Sequence, residues 1–276
     1  MTNNNIDWIF PILRKPTRLW NIGSTVTISA VGLLNKLLVS CLNTRRVFNK
    51  EHLYQALERP AHIPLITVSN HHSCLDDPGI WGETLDIFVF VVFLATLRGW
   101  KHLCDRNVMR WSLAAHDICF TNKLHSYFFM LGKCVPVIRG AGVDQDAIHF
   151  CQEKLALGHW VHIFPEGGVN MTHEPKRFKW GVGKLVWDCD VLPIVIPMWH
   201  VGMETILPNV EPYTPQIGKN VTINIGKPIQ LSDLVSSLRR SQADPVTARK
   251  SITDVIQHEV MSLKPITEKL HSGWTC

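Results

Sequence analysis

Short apolar runs alternate with segments of helical periodicity along most of the chain. Runs rich in β-branched residues predict buried strands, and apolar positions spaced three or four residues apart predict helices. The predicted strands are residues 64–70, 117–121, 134–139, 160–164, 192–199 and 221–226. The predicted helices are residues 49–58, 144–157 and 245–263. Strands that alternate with helices predict an α/β fold, in which helices flank a mostly parallel central sheet.

Two apolar segments do not fit this alternation, and both bear on membrane contact. Residues 19–42 are semi-apolar and follow a short basic stretch at residues 14–18. A spanning helix needs ~20 mostly apolar residues. Polar side chains interrupt this segment, so the pattern favours a re-entrant or interfacial helix with Trp20 at the headgroup level. An ordinary core helix is the alternative. Residues 87–97 are too short to span a bilayer and fit either a buried strand or a membrane-inserting loop.

The bulk composition is compatible with a membrane-associating segment, residues 1–48, followed by one α/β domain, residues 49–276. The formal net charge of +5 suits an anionic membrane surface or a phosphate-bearing substrate. The chain has no long Lys/Arg block and no interleaving of aromatic and basic residues, so we expect no nucleic-acid partner. Neither an HExxH nor a CxxC spacing occurs, so the sequence offers no support for a metal site and does not exclude one.

A histidine and a carboxylate follow the first strongly predicted strand. His71 comes directly after the run that ends at Asn70, and Asp76 lies five positions later. In a mostly parallel sheet, the strand ends that lead into helices form the ligand-binding edge. A carboxylate that orients an imidazole makes it a general base. The pattern therefore predicts a catalytic pair at this edge, with a capping aspartate beside a half-buried histidine as the alternative.

The spacing of this pair restricts the local backbone. In a continuous helix, residues five apart point about 140° away from each other, so the two side chains meet only in a turn or at a helix start. Ser73 suits a helix N-cap and Pro78 suits a first helical turn, so the local sequence allows this geometry. His72 and Asp77 have the same spacing, and the pattern alone leaves both pairs open.

Three further groups at predicted strand ends suggest phosphate binding. In the run Phe-Pro-Glu-Gly-Gly, Glu166 suits the orientation of a hydroxyl or basic side chain, and Gly167 lets backbone N–H groups approach a phosphate. A simple strand-terminating turn is the alternative. Arg139 ends another strand, where it either grips a phosphate or lies on the surface. Lys179 belongs to a basic stretch, residues 176–184, that holds a lipid phosphate or forms a solvated helix face.

Four motifs in this order resemble those of the glycerolipid acyltransferase family. They are His71 to Asp76, Gly132 to Arg139, Phe164 to Gly167 and Leu192 to Pro197. The resemblance implies an acyltransferase in which His71 is the base and Asp76 its orienting partner, which selects this pair over the neighbouring one. The candidate substrate-binding residues, the first three of them implied by the resemblance, are Arg139, Glu166, Gly167, Ser73 and Lys179.

The context of these motifs is most similar to family members that move acyl chains between phospholipids and lysophospholipids. The runs that carry this likeness are residues 65–78, 115–121, 131–137, 160–167, 177–181 and 197–203. It implies transfer without coenzyme A or another cofactor, remodelling of cardiolipin from monolysocardiolipin, and a place on mitochondrial membranes facing the intermembrane space. Two alternatives stay open: an acyl-CoA-dependent lysophospholipid acyltransferase, which shares every motif, and a non-catalytic lipid-binding protein. An oligomer is compatible with the sequence.

Overall fold

The computed structural model describes residues 6–81 and 106–274 of the chain. Residues 87–97, which the sequence leaves as a strand or a membrane-inserting loop, lie outside the described residues. The strands are β1 Thr44–Phe48, β2 Leu65–Ser69, β3 Trp111–Ala115, β4 Cys134–Val137, β5 Trp160–Ile163, β6 Ile194–Val201 and β7 Asn220–Ile225. The helices, numbered along the described chain, are α1 Ile9–Arg14, α2 Arg18–Lys36, α3 Lys50–Leu57, α4 Asp76–Trp81, α5 His116–Cys119, α6 Lys123–Leu131, α7 Asp146–Ala156, α8 Gly181–Trp187, α9 Met203–Ile206, α10 Ser232–Arg240 and α11 Pro245–Ser272.

Within the described residues, the strands form one seven-stranded sheet in the order β1-β7-β6-β2-β5-β3-β4. All neighbouring strands are parallel except β6 and β7, so the predicted mostly parallel α/β sheet is confirmed. Strand β2 lies in the middle and every one of its residues is buried, as expected for a strand covered on both faces. Because β2 to β6 run in the same direction, their carboxyl ends meet at one edge of the sheet.

Two details of the secondary structure differ from the predictions. The strand predicted at residues 117–121 is wrong: the chain forms β3 at Trp111–Ala115 and then the short helix α5. Pairing with β4 and β5 holds β3 in the sheet, although its sequence WSLAA lacks a β-branched run. The sequence also missed β1, because an edge strand with two arginines does not present the apolar run that marks a buried strand.

The N-terminal helices lie against the domain. Ile9, Phe10 and Leu13 of α1 are buried in the main hydrophobic core. Helix α2 packs on α6, where the Ser24 hydroxyl donates a hydrogen bond of 2.5 Å to the Leu131 carbonyl. Helix α2 continues directly into a π-helical turn, Leu37–Cys41. The combined segment Arg18–Cys41 is long and apolar enough to cross a membrane, by length and composition only, and 33% of its most apolar window is buried. Its outward side is apolar and exposed at Leu19, Ile22, Val26, Leu33 and Leu34.

Candidate active site

The predicted histidine and aspartate meet at the carboxyl end of β2. The His71 Nδ1 atom lies 2.9 Å from the Asp76 Oδ2 atom, in the loop that leads into α4. The Asp76 side chain is fully buried, whereas 19% of the His71 side chain is exposed. Because the Asp76 carboxylate accepts a hydrogen bond from the Nδ1–H group, Nε2 of His71 is the nitrogen that can accept a further proton. The arrangement has the chemistry of a general base.

The loop folds around the carboxylate of Asp76. The backbone N–H groups of His72 and Ser73 donate to its Oδ2 atom at 2.6 and 2.8 Å. Burial alone would raise the pKa of Asp76, but the neighbouring His200 and His71 and the Ser73 N–H outweigh it, so the pKa lies below its usual value. Asp76 is therefore held as a carboxylate, the form that can orient and stabilise an imidazolium.

The structure does not bring His72 and Asp77 together. Asp77 accepts from Arg110 Nη2 at 2.5 Å and from Arg110 Nε at 3.2 Å, and the Ser112 hydroxyl also donates to it at 3.0 Å. The His72 ring is buried, with its centroid 4.1 Å from that of His173. Burial, followed by the neighbouring histidines, lowers the pKa of His72 to about 3. Asp77 and His72 therefore contact other residues of the fold and not each other, although their spacing in sequence equals that of the catalytic candidates.

The Phe-Pro-Glu-Gly run, which follows β5, holds His71 from the other side. Glu166 Oε1 accepts a hydrogen bond of 2.9 Å from the His71 backbone N–H. The Asn170 N–H donates to the His71 carbonyl at 2.6 Å. The Phe164 ring stacks on the His71 ring with centroids 4.3 Å apart and planes inclined by 20°. Burial raises the pKa of Glu166. The contact of Glu166 is thus with the backbone of His71.

Two cations lie beside the glycines of this run. Gly167 has a φ of 79°, and a Cβ atom placed on it would lie 3.2 Å from Lys179 Cε, so the lysine stem packs against this glycine. The Lys179 N–H also donates to the Pro165 carbonyl at 2.7 Å. A Cβ atom on Gly168 would lie 3.6 Å from Arg139 Nη1. A guanidinium and a lysine side chain beside one loop make a suitable environment for a phosphate.

Arg139 and Ser73 differ in how freely they could meet a substrate. Arg139 forms an ion pair with Asp117, and both side chains are about half exposed, so a competing anion can reach the guanidinium. Ser73 is fully buried. Its hydroxyl donates to the Leu207 carbonyl at 3.2 Å and accepts from the Leu75 N–H at 3.2 Å. A contact of Ser73 with substrate therefore stays a prediction, and in this structure its hydroxyl stabilises the start of α4.

Sequence reasoning missed three residues that support the site. Arg110 fixes Asp77, and the side chains of Asn70 and His200 join the ends of β2 and β6. In the sequence, Asn70 and His200 are only polar residues near the ends of apolar runs. Without the strand order, this pattern does not show that the two side chains contact each other. Among residues 6–81 and 106–274, no three His, Cys, Asp or Glu side chains are grouped so that they could hold a metal ion.

Comparison with known proteins agrees with this geometry. Residues 45–201 match the family model described as Acyltransferase, and the chain belongs to the acyltransferase family. Tafazzin of Drosophila melanogaster is 53% identical over 268 residues, which cover 97% of this chain and 67% of that protein, so the chain is a homologue of tafazzin. N-acylphosphatidylethanolamine synthase of Arabidopsis thaliana is 37% identical over 223 residues, covering 78% and 74% of the two chains.

A solved structure has the same fold. The 1-acyl-sn-glycerophosphate acyltransferase PlsC of Thermotoga maritima superposes with a TM-score of 0.54 at 19% sequence identity. The match covers 87% of this chain and 79% of PlsC. The chain therefore has the fold of a known acyltransferase and is itself an acyltransferase by family.

Proposed function

We propose that the protein is a phospholipid–lysophospholipid transacylase that needs no coenzyme A. The observation that carries the proposal is the 2.9 Å contact of His71 with the buried Asp76. The loop that holds His71 also has Arg139 and Lys179 beside its glycines. A base near two cations suits a hydroxyl that belongs to a phosphate-bearing lipid. Independence of coenzyme A follows from the likeness of the motif context to lipid-to-lipid acyl transfer.

The reaction uses His71 twice. Its Nε2 atom accepts the proton of the lysophospholipid hydroxyl while the oxygen attacks the ester carbonyl of the donor phospholipid. A new C–O bond forms, and the Asp76 carboxylate stabilises the imidazolium. When the original ester C–O bond breaks, the imidazolium returns its proton to the departing alkoxide, which leaves as a new lysophospholipid. One ester is exchanged for a similar ester, so the transfer is close to isoenergetic.

We assign the lipid phosphate to the space beside Gly167. Arg139 and Lys179, which lie beside the glycines of this run, supply the donors and positive charge that a phosphodiester needs. Glu166 has a different part in this scheme, because its carboxylate holds the backbone of His71. Its burial and raised pKa also make direct contact with an anion unfavourable.

The substrates reside in a bilayer, and the N-terminal segment, residues 1–48, suits contact with one. The exposed outward side of α2 is apolar, with Leu19 80% exposed and Leu34 65% exposed. An interfacial helix with this side buried in the headgroup region would keep the active site at the membrane surface. From the resemblance of the motif context to enzymes of lipid-to-lipid acyl transfer, we propose mitochondrial membranes facing the intermembrane space as the location and monolysocardiolipin as an acceptor.

A transfer assay without coenzyme A tests the proposal. The purified chain is given vesicles that contain phosphatidylcholine labelled in one acyl chain and, in separate reactions, unlabelled monolysocardiolipin or lysophosphatidylethanolamine. We expect label in cardiolipin and an equimolar yield of lysophosphatidylcholine. A parallel reaction with labelled acyl-CoA and the same acceptors tests the acyl-CoA-dependent alternative.

The outcomes separate the candidates. Transfer from acyl-CoA together with none from phosphatidylcholine would contradict the proposal and favour the acyl-CoA-dependent enzyme. Label in an amide of lysophosphatidylethanolamine would favour transfer to nitrogen, the kind of bond in the name of the Arabidopsis relative, N-acylphosphatidylethanolamine synthase. Transfer from neither donor by a folded protein would leave only lipid binding.

A further inference from the structure

A second imidazole lies at the catalytic carboxylate. His200, near the end of β6, is fully buried. Its Nε2 atom lies 3.0 Å from the carbonyl oxygen of Asn70 and 3.5 Å from Asp76 Oδ2. A carbonyl oxygen only accepts hydrogen bonds, so Nε2 of His200 carries a proton and donates it. That N–H therefore donates to the Asn70 carbonyl, and the Asp76 carboxylate lies close enough to interact with it electrostatically.

Asn70 and His200 hold each other through both backbone and side chain. The Asn70 side-chain amide donates to the His200 carbonyl at 2.9 Å, and its oxygen accepts the His200 N–H at 2.9 Å. The His200 ring in turn binds the Asn70 carbonyl. Because Asn70 immediately precedes His71, these three bonds fix the backbone on which the base stands. The three Asn70–His200 hydrogen bonds join β6 to the end of the neighbouring β2.

The surroundings of His200 contain several titratable groups. The loop after β2 contributes Asp76 and His72, whose ring centroid is 5.8 Å from that of His200. Strand β5 contributes His162, which interacts electrostatically with His200. From α11, the Lys264 ammonium lies 6.0 Å from the ring of Trp199, the residue before His200. Asp76 is the anion that an N–H of His200 meets in this environment.

We propose that His200 is a positioning residue for acyl transfer, whose Nε2–H fixes the Asn70 carbonyl and shares the charge of the Asp76 carboxylate that binds His71. The proposal rests on the proposed function only in taking His71 as the base. Asp76 Oδ2 already accepts from His71, His72 and Ser73. A fourth N–H near the same oxygen draws negative charge away from the bond to His71.

The sign of the effect follows from this sharing. Without the His200 N–H, the Asp76 carboxylate binds the His71 Nδ1–H more strongly and stabilises the imidazolium more. Protonation of His71 then occurs at higher pH, and because only the neutral ring is a base, activity is lost at higher pH on the acid side. We expect an upward shift of roughly half a unit to one unit, as for the loss of one donor near a buried carboxylate.

Two substitutions separate this role from simple packing. His200→Phe keeps an aromatic ring and removes the N–H, whereas His200→Gln places an amide N–H about where Nε2 lies. The protonation midpoint of His71 is measured by 13C NMR of histidine-labelled full-length protein, with the His71 resonance identified by its loss in His71→Gln. The acid limb of the pH profile of kcat/KM is measured in the same samples, and thermal unfolding checks the fold.

We expect His200→Phe to raise the His71 midpoint and the acid limb together. We also expect it to lower kcat/KM about tenfold, because the Asn70 carbonyl loses the bond that fixes the backbone before His71, and this loss outweighs the stronger hold of Asp76 on the imidazolium. His200→Gln should return both pH values to those of the wild type. If His200→Phe does not fold, His200→Asn replaces it, because its shorter amide does not reach the Nε2 position. An unchanged or lowered His71 midpoint in His200→Phe, or in His200→Asn if that replaces it, would overturn the inference. A His200→Gln protein with the same raised midpoint as the variant that lacks the N–H would also overturn it.

The NMR midpoint does not depend on turnover. A wild-type protein without CoA-independent transfer would contradict the proposed function and leave the midpoint as a test of His200. A wild-type protein that transfers acyl chains while His200→Phe titrates normally would contradict only the inference about His200.

Discussion

Replacement of the buried carboxylate by its amide, Asp76→Asn, isolates the contribution of charge to the site. The His72 and Ser73 N–H groups both point at the Oδ2 position, so the amide oxygen takes that place. The same oxygen can then accept the His71 Nδ1–H, as Oδ2 does at 2.9 Å in the wild type. The tautomer and orientation of the ring are retained, and the negative charge is lost.

The magnitude follows from that distance. With about 4 Å between the centres of a carboxylate and an imidazolium, the attraction is about 4 kcal/mol at an effective dielectric constant of 20. This stabilisation exists only when His71 is protonated, so its loss falls on the transition state and lowers kcat about a thousandfold. The amide NH2 group would occupy the Oδ1 position, where the carboxylate has no hydrogen-bond partner. That unsatisfied donor costs about 1–3 kcal/mol of stability.

The assay compares Asp76→Asn with Asp77→Asn, a matched control one position along the chain. Asp77 is hydrogen-bonded to Arg110 and Ser112, so its amide should lower the unfolding temperature and leave kcat within about threefold. Initial rates of acyl transfer and thermal unfolding are measured for both variants. A folded Asp76→Asn protein that loses less than tenfold in kcat would refute the electrostatic argument.

Three further predictions concern stability and membrane contact. Burial lowers the pKa of His162 to about 3, so protons bind the unfolded state more strongly below about pH 6.5, and at pH 5 this residue alone costs about 2 kcal/mol of stability. Urea unfolding of wild type and His162→Asn at pH 7 and 5 should show that the variant loses less unfolding free energy on acidification. Gly158→Ala should lower the unfolding free energy by about 3 kcal/mol or more, since its φ is 75° and a Cβ atom would lie 1.8 Å from the Ala61 carbonyl oxygen; an unfolding temperature within 1 °C of the wild type would count against this. Val26→Glu should weaken binding to cardiolipin-containing vesicles about tenfold, whereas Val246→Glu on α11, 53% exposed against 61% for Val26, should not; equal effects in co-sedimentation would argue against docking through α2.

The place of the candidate active site in the fold was predictable from the sequence because it depends on local pattern. His71 follows an apolar run that forms the central strand β2, and the end of such a strand lies at the ligand-binding edge. The identity of the pair was not predictable from spacing. The Asp77 carboxylate accepts a hydrogen bond from Arg110, which lies 33 positions away in sequence and contacts it only in the folded chain.

The remaining misses have the same cause. Strand β3 has little intrinsic strand character and is formed by pairing with its neighbours. His200 reaches the Asp76 carboxylate because β6 pairs with β2. Its hydrogen-bond partner Asn70 lies 130 positions earlier in the sequence.

The most direct test of the central claim compares two neighbouring histidines. Acyl transfer without coenzyme A is measured for wild type, His71→Ala and His72→Asn, with thermal unfolding of each protein as the check of the fold. We expect a loss of at least about a thousandfold for His71→Ala, in the range for removal of a general acid–base group, and easily measurable transfer for His72→Asn. A folded His71→Ala protein that still transfers acyl chains at the wild-type rate would contradict the account.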